Sequence, residues 1–364
     1  MAPFPAAVRL KAGLLCYGLQ ANEVSRELYS LQNPFCDSKT GNVGLHLRLP
    51  GETHVLATLS HHFNRNSPFS LNRVGDGWSL QGLEDGPIDI APVVMPGWYG
   101  SKTSSGRTMA GVLLHEGKKY LHQEYSGCDY FVSDSQCHFC GAGTTLQIAE
   151  PQDVADTVFA ALKVDPEYHV CLGGGTRTPL HRNTEYFIAC IRLIRRNAPD
   201  VPIWVEMTPP GPPDLRALIA EGATSFGFNL EVWDERIRQT VARKAGTSRQ
   251  GFLDSFELVA DALGPNRVGS CLIVGLEPEG STILGAAELC RRGVQPCLLP
   301  FKPWNGSKLS GTRPCEPDCL LRASEATAGE MARHQVRPEL NQGCLQCEGC
   351  TVDHDVLSLV AGDN

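Results

Sequence analysis

The stretch GCDYFVSDSQCHFCGAGTT, residues 127–145, decides how this chain is interpreted. It holds three cysteines, Cys128, Cys137 and Cys140, with eight residues between the first two and two between the last two. A Cys-x-x-Cys spacing places two thiolates on one tight turn, which suits a metal ion or an iron–sulfur cluster. An aromatic residue, Phe139, precedes the last cysteine, and a glycine run, CLGGGTRTP, follows at residues 171–179.

Two other uses of these cysteines have to be weighed. The chain has 15 cysteines, an odd number, and its first residues do not predict a signal peptide, so a disulfide framework is not expected. The same cysteine content favours a reducing compartment and predicts a cytoplasmic protein. A closed zinc site joining Cys137 and Cys140 to Cys344 and Cys347 is an alternative, but it explains neither Cys128 nor the glycine run.

Composition sets limits on size and partners. A chain of 364 residues with 42% hydrophobic residues can bury a large core, and one large domain with additions is expected. The formal net charge of −8 argues against a nucleic-acid partner held by phosphate contacts. No apolar run reaches the length needed to span a bilayer, so no membrane segment is predicted.

Strand-like and helix-like segments alternate from about residue 120 to residue 303. The strand-like stretch YSGCDYF opens the series at residues 125–131, and apolar residues then recur at helical spacing from Val154 to Val164. Six such β–α repeats predict a parallel sheet covered by helices. We therefore expect an α/β fold built as a partial (β/α)6 barrel, with working residues at the carboxyl ends of its strands. An open doubly wound sheet is the alternative.

Three segments are predicted along the chain. Residues 1–110 are rich in Gly, Pro, Asn and Ser, and stretches such as GLHLRLP and THVLATLS predict a small β-rich N-terminal domain. Residues 111–305 form the predicted barrel. Residues 306–364 form a cysteine-rich tail that is expected to carry an auxiliary cluster.

The tail contains the run CLQCEGC, with cysteines at positions 344, 347 and 350. Three thiolates at that spacing wrap one iron–sulfur cluster in ferredoxin-type sequences, and a fourth ligand must come from elsewhere. Cys315 or Cys319 is available for that role. A structural zinc knot would use the same ligands and is the alternative.

The cysteine motif and the β–α pattern together resemble the radical S-adenosylmethionine (SAM) superfamily. The stretches SFGFNLEVWDERIR, RVGSCLIVGLEP and PFKPWNGSKL resemble its biotin-synthase-like branch. The stretches PFSLNR, VVMPGWYG, CHFCGAGTTL and GCLQCEGC are similar to the radical SAM proteins of nitrilase-linked gene clusters. The eight-residue gap after Cys128 departs from the common three-residue spacing and lengthens the cluster loop.

This resemblance implies a set of cofactors. The cysteines at 128, 137 and 140 would hold three irons of a [4Fe–4S] cluster and leave the fourth iron open for SAM. Phe139 would pack beside the adenine. The glycines at 173, 174 and 175 would meet the amino group of SAM, and Thr176 stands where many members carry an acid.

Charged residues at other strand ends complete the expected site. Glu206 and Glu231 end two apolar strand-like runs, where a carboxylate needs a partner. The partner is either SAM, through a ribose hydroxyl or its ammonium, or a salt bridge to Arg177 or Arg243. Arg236, Arg243 and Lys244 follow the run that ends in Glu231, and one of them could pair with the SAM carboxylate. Arg243 is the residue expected in that role, since a guanidinium binds a carboxylate through two hydrogen bonds.

The expected function is that of a radical SAM enzyme that abstracts hydrogen from a small-molecule substrate. A flavodoxin- or ferredoxin-type electron donor is the expected partner. Sulfur insertion by sacrifice of the tail cluster is a second reading of the same cysteines. A zinc-stabilised β/α binding scaffold without redox chemistry is a third. Substrate, tail-cluster role and oligomeric state are left open by the sequence.

Overall fold

The computed structural model describes residues 4–32, 44–59, 62–116, 120–125, 127–133, 135–144, 148–337 and 347–361. Cys344, one of the predicted tail ligands, lies outside these ranges. The described chain forms two β-sheets and the helices that cover them. No helix within these ranges is both long enough and apolar enough to cross a membrane.

The N-terminal part pairs two helices with an antiparallel sheet. Its five strands have the spatial order β2-β1-β5-β4-β3. The two stretches predicted as strands, GLHLRLP and THVLATLS, are confirmed as β1 and β2. The elements are helices α1 (Ala6–Tyr17) and α2 (Glu23–Gln32), and strands β1 (Gly44–Arg48), β2 (His54–Thr58), β3 (Ser70–Val74), β4 (Gly77–Gln81) and β5 (Ile88–Pro92).

The second sheet has seven strands in the order β12-β11-β10-β9-β8-β7-β6. Strand β6 is antiparallel to β7, and β7 to β12 run parallel to one another. The predicted six-stranded partial (β/α)6 barrel is thereby confirmed. Its strands are β6 (Leu114–Glu116), β7 (Tyr120–Tyr125), β8 (His169–Gly174), β9 (Ile203–Glu206), β10 (Ser225–Gly227), β11 (Val268–Val274) and β12 (Gln295–Pro300).

The covering helices follow from local sequence. Helix α3 starts at a proline in its first turn and buries an apolar face at helical spacing. Helix α7 starts at Ser248, whose hydroxyl accepts from the amide of Gly251, and ends at Gly264 with φ 90°. The helices are α3 (Pro151–Val164), α4 (His181–Asn197), α5 (Pro212–Ala220), α6 (Glu235–Val241), α7 (Arg249–Leu263), α8 (Glu279–Arg291), α9 (Pro317–Arg333) and α10 (Asp353–Ala361).

Two strands differ from the sequence expectation. The first parallel strand is Tyr120–Tyr125, so the stretch at 125–131 is the loop that follows it and contains the short 3-10 turn Asp129–Phe131. Strand β10 is only three residues long. After it, the side chain of Asn229 accepts from the amide of Cys271, and Glu231 adopts a left-handed φ of 69°. Pairing with β11 is interrupted after Gly227 and resumes at Glu231, which forms an isolated parallel bridge with Leu272.

The tail returns to the barrel beside its last strand. The carboxylate of Asp353 accepts a hydrogen bond from the amide of Leu298 on β12, at 2.6 Å. Cys347 packs with Tyr120 of β7 and Cys297 of β12, which are strands near opposite edges of the sheet. The described tail therefore contacts both sides of the half-barrel. Helix α1 also packs against α9, and the division at residues 110 and 305 stays a prediction.

Candidate functional site

The loop after β7 carries the three cysteines of the predicted cluster motif. The amide of Cys128 donates to the carbonyl oxygen of Gly143 at 3.1 Å, which joins the two ends of the loop. The amide of Cys140 donates to the carbonyl oxygen of Cys137 at 3.1 Å, so this pair forms a tight turn. The thiol of Cys140 interacts electrostatically with the thiols of Cys137 and Cys128. The structure thus places the three cysteines in one neighbourhood.

Backbone contacts on both sides hold this loop in place. The amide of His138 donates to the carbonyl oxygen of Val241, at the end of α6, at 2.8 Å. The amide of Leu309 donates to the carbonyl oxygen of His138 at 3.1 Å. A Cβ atom at Gly141 would lie 2.6 Å from the carbonyl oxygen of Asn305. The loop is therefore anchored between α6 and the segment that follows β12.

The glycine run after β8 lies directly against the start of the cluster loop. A Cβ atom at Gly175 would lie 2.0 Å from the carbonyl oxygen of Gly127 and 2.9 Å from the Cβ of Cys128. Only glycine permits so close an approach of two backbones. The amide of Asp129 donates to the carbonyl oxygen of Thr176 at 2.9 Å. The predicted cluster loop and the predicted SAM-binding strand end are thus in contact.

The Asp129 side chain adds a second connection between the two segments. Its carboxylate accepts from the backbone amide of Thr178 at 2.6 Å and from the hydroxyl of Thr178 at 3.0 Å. A carboxylate that accepts from a backbone amide forms one of the stronger hydrogen bonds in proteins. Asp129 therefore locks the position of Cys128 relative to the end of β8.

Burial and a nearby cation set the protonation of the thiols. Burial raises the pKa of Cys137, and it raises the pKa of Cys140 to about 11. The positive charge of Lys244 acts on both thiols in the opposite direction. A metal that binds such thiols deprotonates them outright, and Lys244 would then offset the negative charge. The donor set and its charge environment therefore fit a bound cluster.

Lys244 also pairs with a predicted site residue. Its ammonium lies 3.0 Å from the carboxylate of Glu231, and both side chains are largely buried. Burial alone would lower the pKa of Lys244, but the charges of Glu231 and of the Cys137 and Cys140 thiols outweigh it and raise that pKa. Glu231 therefore has a salt-bridge partner, and the partner is Lys244 and not Arg177 or Arg243.

Glu206 lies at the end of β9 as expected and has neutral partners. Its carboxylate accepts from the amide side chain of Asn229 at 3.0 Å and from the indole of Trp204 at 3.4 Å. A Cβ atom at Gly173 would lie 3.4 Å from the Cβ of Glu206, so the glycine run and this carboxylate are neighbours. Gly174, the middle residue of the glycine run, has a φ of 151°.

The three remaining residues predicted to contact SAM differ in their burial. Thr176 is buried, and its hydroxyl lies 3.1 Å from the hydroxyl of Thr208. Phe139 is half-buried and packs on the main hydrophobic core. Arg243 is exposed, donates to the carbonyl oxygen of Gln239 at 3.4 Å, and lines a surface cleft with Ser135. Arg243 is thus on the surface, and Lys244 occupies the buried position beside the cysteines.

Geometry also bears on the zinc alternative. Among the described residues, no three side chains of His, Cys, Asp or Glu converge closely enough to hold one metal ion. Cys137, Cys140 and Cys347 are all within the described ranges, so they do not share such a site. An iron–sulfur cluster has a weaker requirement, because each thiolate binds its own iron at a separate corner.

The tail cysteines fall into two groups. Cys350 contacts Cys347, and Cys347 packs inside the barrel with residues of β7, β8, β9, β11 and β12. The thiol of Cys315 instead contacts the thiols of Cys16 and Cys319. The structure therefore brings Cys347 and Cys350 together and groups Cys315 with Cys319 and the N-terminal helix.

Several residues beside the site were not singled out by the sequence. Cys271 and Cys297 are paired on β11 and β12 and pack with Cys347. Lys302, just after β12, is nine-tenths buried without a carboxylate partner among the described residues. Alternation along the strands could have placed both cysteines on one face, but which face points inward depends on the closed sheet.

No family model matches the chain. A bacteriochlorophyllide c C-7(1)-hydroxylase from Chlorobaculum limnaeum is 24% identical over 269 residues, and the match spans 66% of this chain and 66% of that relative.

Three solved structures are similar to part of this chain. A radical SAM methyltransferase from Sphaerobacter thermophilus is 13% identical with a TM-score of 0.47, covering 72% of this chain and 75% of that one. Coproporphyrinogen III oxidase (HemN) from Escherichia coli is 16% identical with a TM-score of 0.42, covering 60% and 53%. Methylornithine synthase (PylB) is 14% identical with a TM-score of 0.48, covering 63% and 70%. All three TM-scores are below 0.5, and all three identities are below 25%.

The three-cysteine loop and the six-stranded half-barrel agree with the resemblance seen in the sequence. Membership of the radical SAM superfamily, and with it activity as an enzyme, stays a prediction from the sequence. A [4Fe–4S] cluster and SAM are the cofactors that this prediction implies. The narrower placement near biotin synthase or the nitrilase-linked proteins stays a prediction.

Proposed function

We propose that this protein cleaves SAM reductively and abstracts hydrogen from a C–H bond of a small-molecule substrate. The observation that carries the proposal is the contact between the cysteine loop and the end of β8. There Gly175 lies against Gly127 and Cys128, so the thiols and the glycine run share one site. A cluster bound by the thiols and SAM bound at the glycines would then be adjacent.

In the proposed site Cys128, Cys137 and Cys140 hold the [4Fe–4S] cluster. When bound, the cluster supplies the electron that cleaves SAM to methionine and a 5′-deoxyadenosyl radical, the species that abstracts hydrogen. Lys244 holds a positive charge beside the thiolates and keeps Glu231 in position. Phe139, which precedes the last cysteine of the loop, is proposed to pack beside the adenine.

The backbone at 173–175 is proposed to approach the amino group of SAM, because no side chain intervenes there. Glu206 is the proposed acceptor for SAM hydroxyl or ammonium hydrogens, since its present partners are the neutral groups of Asn229 and Trp204. Thr176 is the polar group closest in sequence to the glycines. Arg243, being exposed, is a weaker candidate for the SAM carboxylate than Lys244.

The barrel would shield the reaction from water. Strands β8 to β12 lie side by side in the sheet, and the tail contacts strands near both of its edges. The sequence relative is a hydroxylase, and a hydroxylase acts on a carbon that carries hydrogen. This relation supports a C–H bond as the target of the reaction in this chain.

The second cluster, the electron donor and the location belong to the same proposal. The tail cysteines are proposed to carry an auxiliary iron–sulfur cluster, and a flavodoxin- or ferredoxin-type protein to supply electrons. The number of cysteines supports a cytoplasmic location. Sulfur insertion is a second candidate, favoured by the position of Cys347 inside the barrel, where a substrate would bind.

The test uses full-length protein reconstituted without air with iron and sulfide. Incubation with SAM and dithionite should release 5′-deoxyadenosine, and replacement of Cys137 by alanine should abolish that release. Cys190→Ala, at a buried cysteine of α4 outside the site, is the matched control and should leave the release intact. Release of 5′-deoxyadenosine by the Cys137 variant at the wild-type rate would refute the proposed cluster site.

A further inference from the structure

Two cysteines face each other on the last two strands of the barrel. Cys271 of β11 and Cys297 of β12 are paired in register, and their thiols contact each other. Both are buried, in one cluster of side chains with Trp204 of β9 and Cys171 of β8. Because neighbouring parallel strands in register present the same face, these two thiols point to the same side of the sheet.

The tail brings a second pair of thiols to the same place. Cys347 belongs to the same buried cluster, and Cys350 contacts Cys347 and interacts electrostatically with Cys271. Two hydrogen bonds from β2 hold the tail segment at residues 347–349. The ring of His54 bonds to the carbonyl oxygen of Cys347 at 2.9 Å, and the amide of Leu56 donates to the carbonyl oxygen of Gly349 at 2.7 Å.

A buried cation beside these thiols has no carboxylate partner. Lys302 follows β12 and is 9% exposed, and no carboxylate of the described residues pairs with it. The groups that act on its charge favourably are the thiols of Cys350 and Cys16, and its ammonium lies 5.7 Å from the centre of the Trp304 ring. A buried ammonium is costly unless an anion neutralises it, so this site is suited to a negatively charged group.

The structure assigns a second metal site to these residues, which deepens the proposed function by naming the ligands and the type of the auxiliary cluster. We propose that Cys271, Cys297, Cys347 and Cys350 bind a [2Fe–2S] cluster inside the barrel, with Lys302 as its counter-ion. In such a cluster four thiolates bind two irons. The chain offers its thiols as two contacting pairs, one from the strands and one from the tail.

Other assignments fit these contacts less well. Cys171 lies in the same cluster, but its thiol is hydrogen-bonded to His122 and Tyr120. Cys315 contacts Cys16 and Cys319 instead of the tail pair. A single zinc ion would need at least three ligands around one point, and no such group exists among the described residues.

The experiment isolates the second cluster by removing the first. A full-length variant with Cys128, Cys137 and Cys140 replaced by alanine is reconstituted without air, and its iron, sulfide, zinc and Mössbauer spectrum are measured. We expect about two irons and two sulfides per chain, as a [2Fe–2S] cluster requires. Adding Cys271→Ser, Cys297→Ser or Cys350→Ser should remove most of that iron. Adding Cys315→Ser or Cys190→Ser should leave it unchanged.

Two further measurements keep the outcome decisive. Cys350 lies outside the strands, so Cys350→Ser tests the ligand set even if a strand variant fails to fold. Circular dichroism reports whether each variant is folded. Lys302→Met should retain the cluster with a lower reduction potential, and Lys302→Arg should restore the potential. Iron that survives Cys271→Ser and Cys297→Ser in folded protein, or is lost with Cys315→Ser, would overturn the assignment, as would stoichiometric zinc.

The result is independent of the first site. SAM cleavage by wild-type protein reports the [4Fe–4S] cluster, whereas iron in the triple variant reports only the second site. Loss of SAM cleavage with two irons retained would refute the proposed function and keep the [2Fe–2S] site. Intact SAM cleavage with no iron in the triple variant would refute the [2Fe–2S] site alone.

Discussion

The ammonium of Lys244 lies 3.0 Å from the carboxylate of Glu231, at a strand end beside the cysteine loop. The same ammonium acts on the thiols of Cys137 and Cys140. Lys244 therefore connects a residue of the proposed SAM site with two ligands of the proposed cluster. Its φ of 40° and that of 69° at Glu231 are both in the left-handed region, which is unusual for residues other than glycine.

Replacing Lys244 by methionine should weaken both cofactors. The buried Glu231 would lose its partner, and removing one member of a buried pair costs about 3 kcal/mol or more. The thiolates would also lose a neighbouring positive charge. We expect a lower melting temperature, lower iron content after reconstitution, and at least about tenfold weaker SAM binding, which corresponds to about 1.4 kcal/mol. Calorimetry and iron analysis measure these effects.

The neighbouring residue provides the matched control. Arg243 is exposed, so Arg243→Met should change stability, iron content and SAM affinity little. If Arg243→Met weakened SAM binding as strongly as Lys244→Met, the carboxylate of SAM would have to be assigned to the guanidinium after all.

Gly175 should not tolerate even a methyl group. A Cβ atom there would lie 2.0 Å from the carbonyl oxygen of Gly127, a distance at which the backbone has to move. Because Gly127 precedes Cys128, the movement would displace a cluster ligand. Gly175→Ala should therefore reduce iron content and 5′-deoxyadenosine formation by at least about tenfold, the effect of about 1.4 kcal/mol.

Gly280 in the first turn of α8 is the control for this substitution. A Cβ atom at Gly280 has no heavy atom within 4 Å, and alanine is favoured over glycine in a helix. Gly280→Ala should leave iron content unchanged. Wild-type iron content in Gly175→Ala would show that the loop and the strand end are less closely packed than the structure indicates.

The sequence predicted the barrel well because its signals are local. Helical spacing of apolar residues and the apolar strand-like runs between the helices repeat six times, and each repeat is recognisable alone. The first strand was placed too late, at 125–131, because the Cys128 loop is itself rich in aromatic residues. Glu231 was expected at the end of a continuous strand, but β10 ends at Gly227, and the side chain of Asn229 beyond it accepts from the amide of Cys271 on β11.

The site was predictable only in part. Cysteine spacing identified the loop at 128–140, because its ligands are close in sequence. The choice of Lys244 over Arg243 depends on which of two adjacent side chains points inward, and a short 3-10 turn at Lys244–Gly246 decides that. The pairing of Cys271 with Cys297 depends on strand register, which a single sequence does not reveal.

Asp129 should be needed to hold the cluster loop in place. Its carboxylate accepts two hydrogen bonds from Thr178, and the loop that it anchors begins at Cys128. Asp129→Ala removes both bonds and leaves the amide of Thr178 without that partner, at a cost of about 1 to 3 kcal/mol. Iron retention during anaerobic dialysis against a chelator should fall clearly below that of the wild type.

Thr178→Val separates the two bonds. It removes only the hydroxyl donor at 3.0 Å and keeps the backbone donor at 2.6 Å. We expect an intermediate or small loss of iron in this variant. Equal iron retention in Asp129→Ala and the wild type would mean that the loop needs no anchor beyond its backbone hydrogen bonds.

His169 at the start of β8 should make stability depend on pH. Burial lowers its pKa from 6.5 to about 4, and its side chain packs against the ring of Tyr120. Between these two values the unfolded chain binds a proton that the folded chain does not. Acid therefore favours unfolding, and this contribution to stability is complete above pH 6.5 and is lost progressively down to about pH 4.

The slope of stability against pH measures this effect. One such histidine contributes about 1.4 kcal/mol for each pH unit inside the window. His169→Phe keeps an aromatic ring and removes the titration. The free energy of unfolding should then fall less steeply between pH 6.5 and 4, and the difference in slope should correspond to about one proton. Denaturant unfolding at several pH values gives the slopes. Equal slopes for His169→Phe and the wild type would show that His169 binds its proton equally in both states.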